Sequence, residues 1–121
     1  MKFNGIMIGT EDVSKLADFY TKVLGEPTWN MDGFYGWATD GANLMLGAHS
    51  EVKGESVNPQ RMLMQFEASD VKAEFERIKE CGASVVAEPY QPDSENSPNV
   101  WLATVADVDG NYIQLATPWE G

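Results

Sequence analysis

Two stretches of the chain repeat the same pattern of a short helix. Residues 11–25 (EDVSKLADFYTKVLG) and 69–82 (SDVKAEFERIKECG) each carry an Asp-Val pair near the start, apolar residues at helical spacing and a final glycine. Asp12 and Asp70 suit the N-cap or first turn, where a carboxylate is favourable. The repeat therefore predicts two copies of one structural module.

Asp-Gly turns give a second repeated signal. The segments DGANLMLGA (40–48) and DGNYIQLAT (109–117) each predict a turn followed by a strand, and Met45 falls opposite Gln114 in this alignment. Further strands are predicted at 3–9, 26–31, 34–39, 61–67, 84–87 and 99–106. Each half therefore has the order βαβββ, over about 3–47 and 61–117. Two such units can bury their sheets only by packing against each other. We therefore predict one α+β domain over residues 1–121, built from paired βαβββ modules.

The strands show two faces of different character, because side chains alternate along a strand. One parity is uniformly apolar and is predicted to pack under the helices; it comprises Ile6, Ile8, Leu44, Leu46, Met62, Met64, Phe66, Ile113 and Leu115. The other parity mixes polar, small and apolar residues and includes Phe3, Met45, Leu63, Gln65, Tyr112 and Gln114. A mixed concave face is typical of a small-molecule site, and solvent exposure of one sheet face is the alternative.

Charge and composition exclude several classes of partner. Asp and Glu number 19 against 8 Lys and Arg, giving a net charge of −11, which repels nucleic acid and anionic membrane surfaces. The same charge tolerates a cationic ligand, although scattered charge also serves solubility. No apolar run approaches the ~20 residues that cross a membrane. The start of the chain shows no signal-peptide pattern, and the single Cys81 allows no internal disulfide, so we expect a cytoplasmic protein.

The chain resembles the vicinal-oxygen-chelate superfamily, also called the glyoxalase/bleomycin-resistance/dioxygenase superfamily. The segments that carry the resemblance are DVSKLADFYTKVLG (12–25), DVKAEFERIKECGA (70–83) and DVDGNYIQL (107–115). The family commonly has Pro in the last turn, where this chain has Val108. The resemblance implies paired modules that form a half-open barrel-like cleft, and it implies a homodimer.

Metal-dependent members of this superfamily hold a divalent ion with His, Glu or Gln on the first and last strands of each module. The resemblance places those four positions at Gly5, Met45, Leu63 and Gln114. Glycine and leucine supply no donor, and a thioether does not suit Zn, Mn or Fe(II). We therefore predict no metal and no other cofactor. The Gln114 amide is left to bond a ligand, or else a water or Gln65.

Other candidate residues are weaker. His49, Glu67 and Tyr112 are the candidates for a catalytic group, and His49 is equally a surface residue that opens the loop over 48–60. Four tryptophans are present, at 29, 37, 101 and 119. Trp37 and Trp101 occupy similar places in the two modules and could stack on a planar or cationic ligand, or else pack in the core or at a dimer interface.

The sequence is compatible with three functions. The first is a metal-independent binding protein that sequesters a cationic or aromatic compound, similar to the bleomycin-resistance branch. Its predicted ligand-binding residues are Met45, Leu63, Gln65, Tyr112, Gln114, Trp37 and Trp101. The second is a lyase, glyoxalase-like or other enzyme with a non-standard site. The third is an interaction module without a small ligand. One fold hosts many chemistries, so the fold alone does not choose among them.

Overall fold

A computed structural model of the chain describes residues 1–118; Trp119 lies outside the described residues. The chain divides into two compact units, Met1–Gly54 and Glu55–Gly121. Each unit corresponds to one of the two predicted modules, and each contains one α-helix and one four-stranded sheet. The predicted α+β class with repeated βαβββ modules is confirmed. Both sheets are open, and neither closes into a barrel.

Unit 1 begins with a strand that leads directly into its helix. Its elements are β1 (Gly5–Thr10), α1 (Val13–Leu24), β2 (Trp29–Met31), β3 (Phe34–Ala38) and β4 (Asn43–Ala48). The sheet order is β1-β4-β3-β2, with β1 parallel to β4 and the other pairs antiparallel. We call this sheet A.

Unit 2 repeats the arrangement. A short 3-10 helix (Pro59–Arg61) precedes β5 (Leu63–Glu67), α2 (Val71–Glu80), β6 (Ser84–Tyr90), β7 (Leu102–Ala106) and β8 (Tyr112–Ala116). The sheet order is β5-β8-β7-β6, again with only the first pair of strands parallel. We call this sheet B. β6 extends three residues beyond its predicted end at residue 87, and its register with β7 shifts along this stretch.

The two helices begin with the same local geometry. Asp12 Oδ1 accepts from the backbone N–H of Lys15 at 3.1 Å, and Asp70 Oδ1 accepts from that of Ala73 at 3.0 Å. The backbone angles of the two caps agree closely, with φ/ψ of −127°/89° and −124°/88°. Each carboxylate satisfies a donor that the first helical turn leaves without an intrahelical partner. The predicted N-caps are therefore confirmed.

Each helix covers one face of its own sheet. In unit 1, Leu16 and Tyr20 of α1 are fully buried, as is Leu46 of β4. In unit 2, Phe75 of α2 and Ile113 of β8 are buried in the same way. Four residues of the predicted apolar parity are buried in this core, namely Leu44, Leu46, Ile113 and Leu115, whereas Ile6, Ile8, Met64 and Phe66 are half-buried. Met62 precedes β5 and is exposed, so its assignment to the core was wrong.

Neither helix in residues 1–118 has the length and apolar character that a membrane-spanning helix needs.

Candidate functional site

Each sheet has a second face, opposite its helix, which we call the helix-free face. In sheet A the register places Met7, Met45 and Gly36 side by side, with Trp29 opposite Gly36. The adjacent row contains Gly9, Gly47, Phe34 and Met31. In these two rows the side chains are therefore aromatic or thioether groups separated by glycines. Met7, Trp29 and Met31 are 52%, 39% and 64% exposed, which leaves an apolar surface open.

The glycines of this face allow neighbouring side chains to approach the sheet backbone closely. A Cβ at Gly36 would lie 2.2 Å from Cε3 of Trp29, so the indole occupies that space. A Cβ at Gly47 would lie 2.6 Å from Cε of Met7 and 3.4 Å from the ring of Phe34. Both glycines are buried beneath these side chains. The result is a shallow apolar layer of Trp29, Met7 and Phe34 around Met45.

One corner of this layer is covered by the loop that follows β4. A Cβ at Gly9 would lie 3.1 Å from Cβ of His49 and 3.4 Å from Cγ2 of Val52. The loop is closed by a hydrogen bond from the Val52 N–H to the His49 carbonyl at 3.1 Å. The apolar layer therefore has a defined edge on the side of the sheet where β1 ends.

The helix-free face of sheet B is polar at the corresponding row. Gln65, Gln114 and Thr104 are direct neighbours across β5, β8 and β7. Leu63 and Tyr112 are paired in the row before them, and Glu67 and Ala116 in the row after. The structure thus brings four predicted ligand-binding residues of unit 2 onto one face: Leu63, Gln65, Tyr112 and Gln114.

The positions implied by the metal-binding members of the superfamily do not fit a divalent ion. A Cβ at Gly5 would lie 2.2 Å from the carbonyl oxygen of Asn43, so the backbone leaves no room for any side chain there. Met45 supplies a thioether and Leu63 no donor, which leaves the amide of Gln114. Among residues 1–118, no group of three or more His, Cys, Asp or Glu side chains is suitably placed to hold an ion.

The three candidates for a catalytic group lie at strand ends. His49 is exposed, and its Nδ1 accepts from the backbone N–H of Glu51 at 3.1 Å, which fits its alternative interpretation as the first residue of a loop. Glu67 is an exposed residue at the end of β5, and Tyr112 is half-buried at the start of β8. On β5 and β8, Glu67 is paired with Ala116 and Tyr112 with Leu63, and neither partner carries a charge.

Two of the tryptophans face the helices. Trp37 is only 3% exposed, lies 6.1 Å from the ring of Tyr20 in α1, and donates from Nε1 to the Gly25 carbonyl at 2.8 Å. Trp101 is half-buried, and the ammonium of Lys72 in α2 lies 3.9 Å from its ring centroid. Both rings are thus on the helix-facing side of their own sheets. This placement does not suit ligand binding on the helix-free faces; Trp37 packs in the core, and Trp101 packs against Lys72 of α2.

Trp29 is the functional candidate that the sequence interpretation missed. It lies on β2, a strand of three residues whose parity cannot be assigned from alternation alone. The available signal was Gly36, because a glycine inside a strand often marks a place where another group approaches closely. An aromatic residue on the neighbouring strand is a common partner for such a glycine.

Two βαβββ units with helices on one face and mixed residues on the other define a class of small, repeated α+β proteins. The chain belongs to the family described as Glyoxalase-like domain, whose model matches residues 5–116 and so spans both units. This membership confirms the resemblance to the vicinal-oxygen-chelate superfamily.

Solved structures show the same fold at low sequence identity. A glyoxalase/bleomycin resistance protein/dioxygenase family enzyme from Burkholderia phytofirmans PsJN has a TM-score of 0.77 at 19% identity, over 97% of this chain and 98% of that one. A glyoxalase-related enzyme from Fulvimarina pelagi has a TM-score of 0.74 at 18% identity, over 98% and 88%. A glyoxalase/bleomycin resistance protein from Albidiferax ferrireducens T118 has a TM-score of 0.74 at 19% identity, over 96% and 98%. A comparison with curated proteins gave no match.

Proposed function

We propose that this protein binds a small aromatic or cationic compound without a metal ion. The observation that carries the proposal is the apolar layer on the helix-free face of sheet A. The indole of Trp29 occupies the space over Gly36, which neighbours Met45, and Trp29 is 39% exposed. Indole and thioether groups suit a planar ligand, since aromatic rings gain from stacking and sulfur atoms from ring contacts.

The chemistry of the superfamily's ligand positions supports a metal-independent role. The backbone at Gly5 excludes a side-chain donor, and Met45 is part of the apolar layer. A lyase that activates substrate through a divalent ion needs three or four hard donors, which these positions do not supply. The net charge of −11 favours a cation over an anion at long range, because the summed field of the protein attracts positive ligands.

The test is a titration with two planar probes in buffer containing EDTA. Thioflavin T is an aromatic cation, and 8-anilinonaphthalene-1-sulfonate is an aromatic anion of similar size. We expect saturable binding of thioflavin T, with weaker binding of the anion at low salt. Trp29→Ala should weaken thioflavin T binding about tenfold, since stacking and cation–π contacts are worth roughly 1–2 kcal/mol.

Trp101→Ala is the matched control, because this ring faces α2 and should leave the titration unchanged. Binding that required added Zn²⁺ or Mn²⁺ would contradict the proposal and favour the enzyme alternative. The same conclusion would follow if stoichiometric metal were retained in native mass spectrometry of the purified protein.

We further propose that the protein is a cytoplasmic homodimer. The superfamily resemblance supports the dimer, and the single Cys81 supports a compartment where disulfides are not needed. The subunit count in native mass spectrometry tests the dimer directly.

A further inference from the structure

Two carboxamides lie side by side on the helix-free face of sheet B. Gln65 of β5 and Gln114 of β8 are direct partners in a parallel pair of strands, and Thr104 of β7 is the partner of Gln114 on the other side. Gln65 is exposed, Gln114 is half-buried and Thr104 is buried. Solvent exposure thus decreases along the row from β5 at the edge of the sheet to β7.

These amides are not used to hold the fold. Among residues 1–118, neither Gln65 nor Gln114 makes a side-chain hydrogen bond to a protein group. Other amides of unit 2 do: Asn111 Nδ2 donates to Asp107 at 2.9 Å, and Gln91 Nε2 donates to the Pro98 carbonyl at 2.6 Å. The donors and acceptors of the Gln65–Gln114 pair therefore remain available to a ligand.

The internal repeat shows that the fold does not require these side chains. Gln65 and Gln114 occupy the places that Met7 and Met45 hold in unit 1, in the same parallel register. The helix-facing positions on either side of Gln114 stay apolar and buried. The difference between methionine in unit 1 and glutamine in unit 2 is thus confined to the helix-free face, where it does not alter packing beneath the helix.

We propose that the Gln65–Gln114 pair binds the edge of a neutral planar imide or lactam. The row itself contains no charged side chain, so its hydrogen-bonding groups suit a neutral edge, and the exposed Glu67 in the row after disfavours an anion. One carboxamide can donate to a ligand carbonyl and accept from the ligand N–H, while the second donates to the other carbonyl. This donor-acceptor-donor order complements the acceptor-donor-acceptor edge of an imide. Tyr112 and Leu63, in the adjacent row, provide apolar contact for the ring system.

The site lies in unit 2, so the inference goes beyond the apolar layer of unit 1 and does not depend on it. The probes are 1,8-naphthalimide and N-methyl-1,8-naphthalimide, which differ only in the imide N–H. We expect the N–H form to bind about tenfold more tightly, since a site built to hydrogen-bond a group rejects the analogue that lacks it.

Two variants assign that preference to the glutamines. Gln114→Leu and Gln65→Leu should each remove most of the difference between the probes. Gln65 is exposed on an edge strand, so its variant tests the idea even if Gln114→Leu folds poorly. Gln60→Leu, at an exposed position outside the sheet, is the control and should keep the full preference.

Equal binding of the two probes, or a preference that survives both glutamine variants, would overturn the inference. Thioflavin T titration of Gln65→Leu separates this result from the function proposed for unit 1. An unchanged thioflavin T affinity with a lost imide preference supports two distinct sites.

Discussion

The indole of Trp29 fills the space above Gly36 that any larger residue on β3 would need. A Cβ at position 36 would lie 2.2 Å from Cε3 and 2.9 Å from Cζ3 of the ring. Gly36→Ala should therefore lift the indole off the sheet without removing it. We expect higher acrylamide quenching of tryptophan fluorescence and weaker thioflavin T binding. The variant should lose about 1–2 kcal/mol of unfolding free energy, because overpacking outweighs the gain from replacing a strand glycine.

Ala38→Val is the matched control for this variant. Ala38 lies two residues further along the same strand, on the same face, and is exposed. Its stability and quenching should stay near those of the wild type, within about 0.5 kcal/mol. Equal quenching in Gly36→Ala and wild type would show that the position of the Trp29 ring does not depend on the space over Gly36.

The close approach of Gly5 to Asn43 has a different consequence, because the obstacle there is backbone. A Cβ at position 5 would lie 2.2 Å from the Asn43 carbonyl oxygen and 2.9 Å from its carbonyl carbon. Gly5→Ala should cost at least about 2 kcal/mol in urea unfolding, since strand pairing must shift to admit the methyl group. Gly9→Ala, on the same strand and face, meets only side-chain atoms at 3.1 Å or more and should cost less. If Gly5→Ala left the unfolding free energy unchanged, position 5 would have room for a side chain, and a metal ligand there would no longer be excluded.

Local signals and the internal repeat predicted most of the fold. Asp12 and Asp70 were recognisable as helix starts because an acidic cap works through bonds to residues three positions away. The core parity of β4 and β8 followed from alternation, since Leu46 and Leu115 lie in strands of five or six residues beneath a helix. These features depend on neighbours in sequence, which a single chain displays directly.

The candidate site was harder to predict, because it depends on register between strands. Trp37 and Trp29 flank the β2–β3 hairpin, yet one ring faces the helix and the other the open face. The pairing of Trp29 with Gly36 places the Trp29 ring on the helix-free face. This pairing is set by the Asp32–Gly33 turn rather than by alternation in a three-residue strand. Gln65 and Gln114 shared a predicted face, but only the parallel register makes them direct neighbours.

Trp37 ties the end of α1 to sheet A through its indole nitrogen. Nε1 donates to the carbonyl of Gly25, the C-cap residue, at 2.8 Å, and the ring is buried. Trp37→Phe removes this bond and leaves a small cavity, so we expect a loss of about 2–3 kcal/mol of unfolding free energy. Trp101→Phe should cost less than about 1 kcal/mol, because its main polar contact is the Lys72 cation over the ring. Equal losses would contradict the assignment of Trp37 to the core.

The buried carboxylate of Asp107 organises the turn that leads into β8. It accepts from the backbone N–H groups of Asp109 and Asn111 at 2.8 and 2.9 Å, and from the side-chain amide of Asn111. Asp107→Ala should cost about 1–3 kcal/mol in urea unfolding, because partly buried donors lose their acceptor. It should also weaken the imide preference, since the turn positions the strand that carries Gln114.

Asp93 provides the matched control for this turn. Its carboxylate accepts from the backbone and side-chain N–H groups of Asn96 in a similar way, but all of these groups are exposed. Asp93→Ala should therefore cost less than about 1 kcal/mol, because water replaces the lost acceptor. If both alanine variants lost the same free energy, burial of the Asp107 turn would not be the source of its stability.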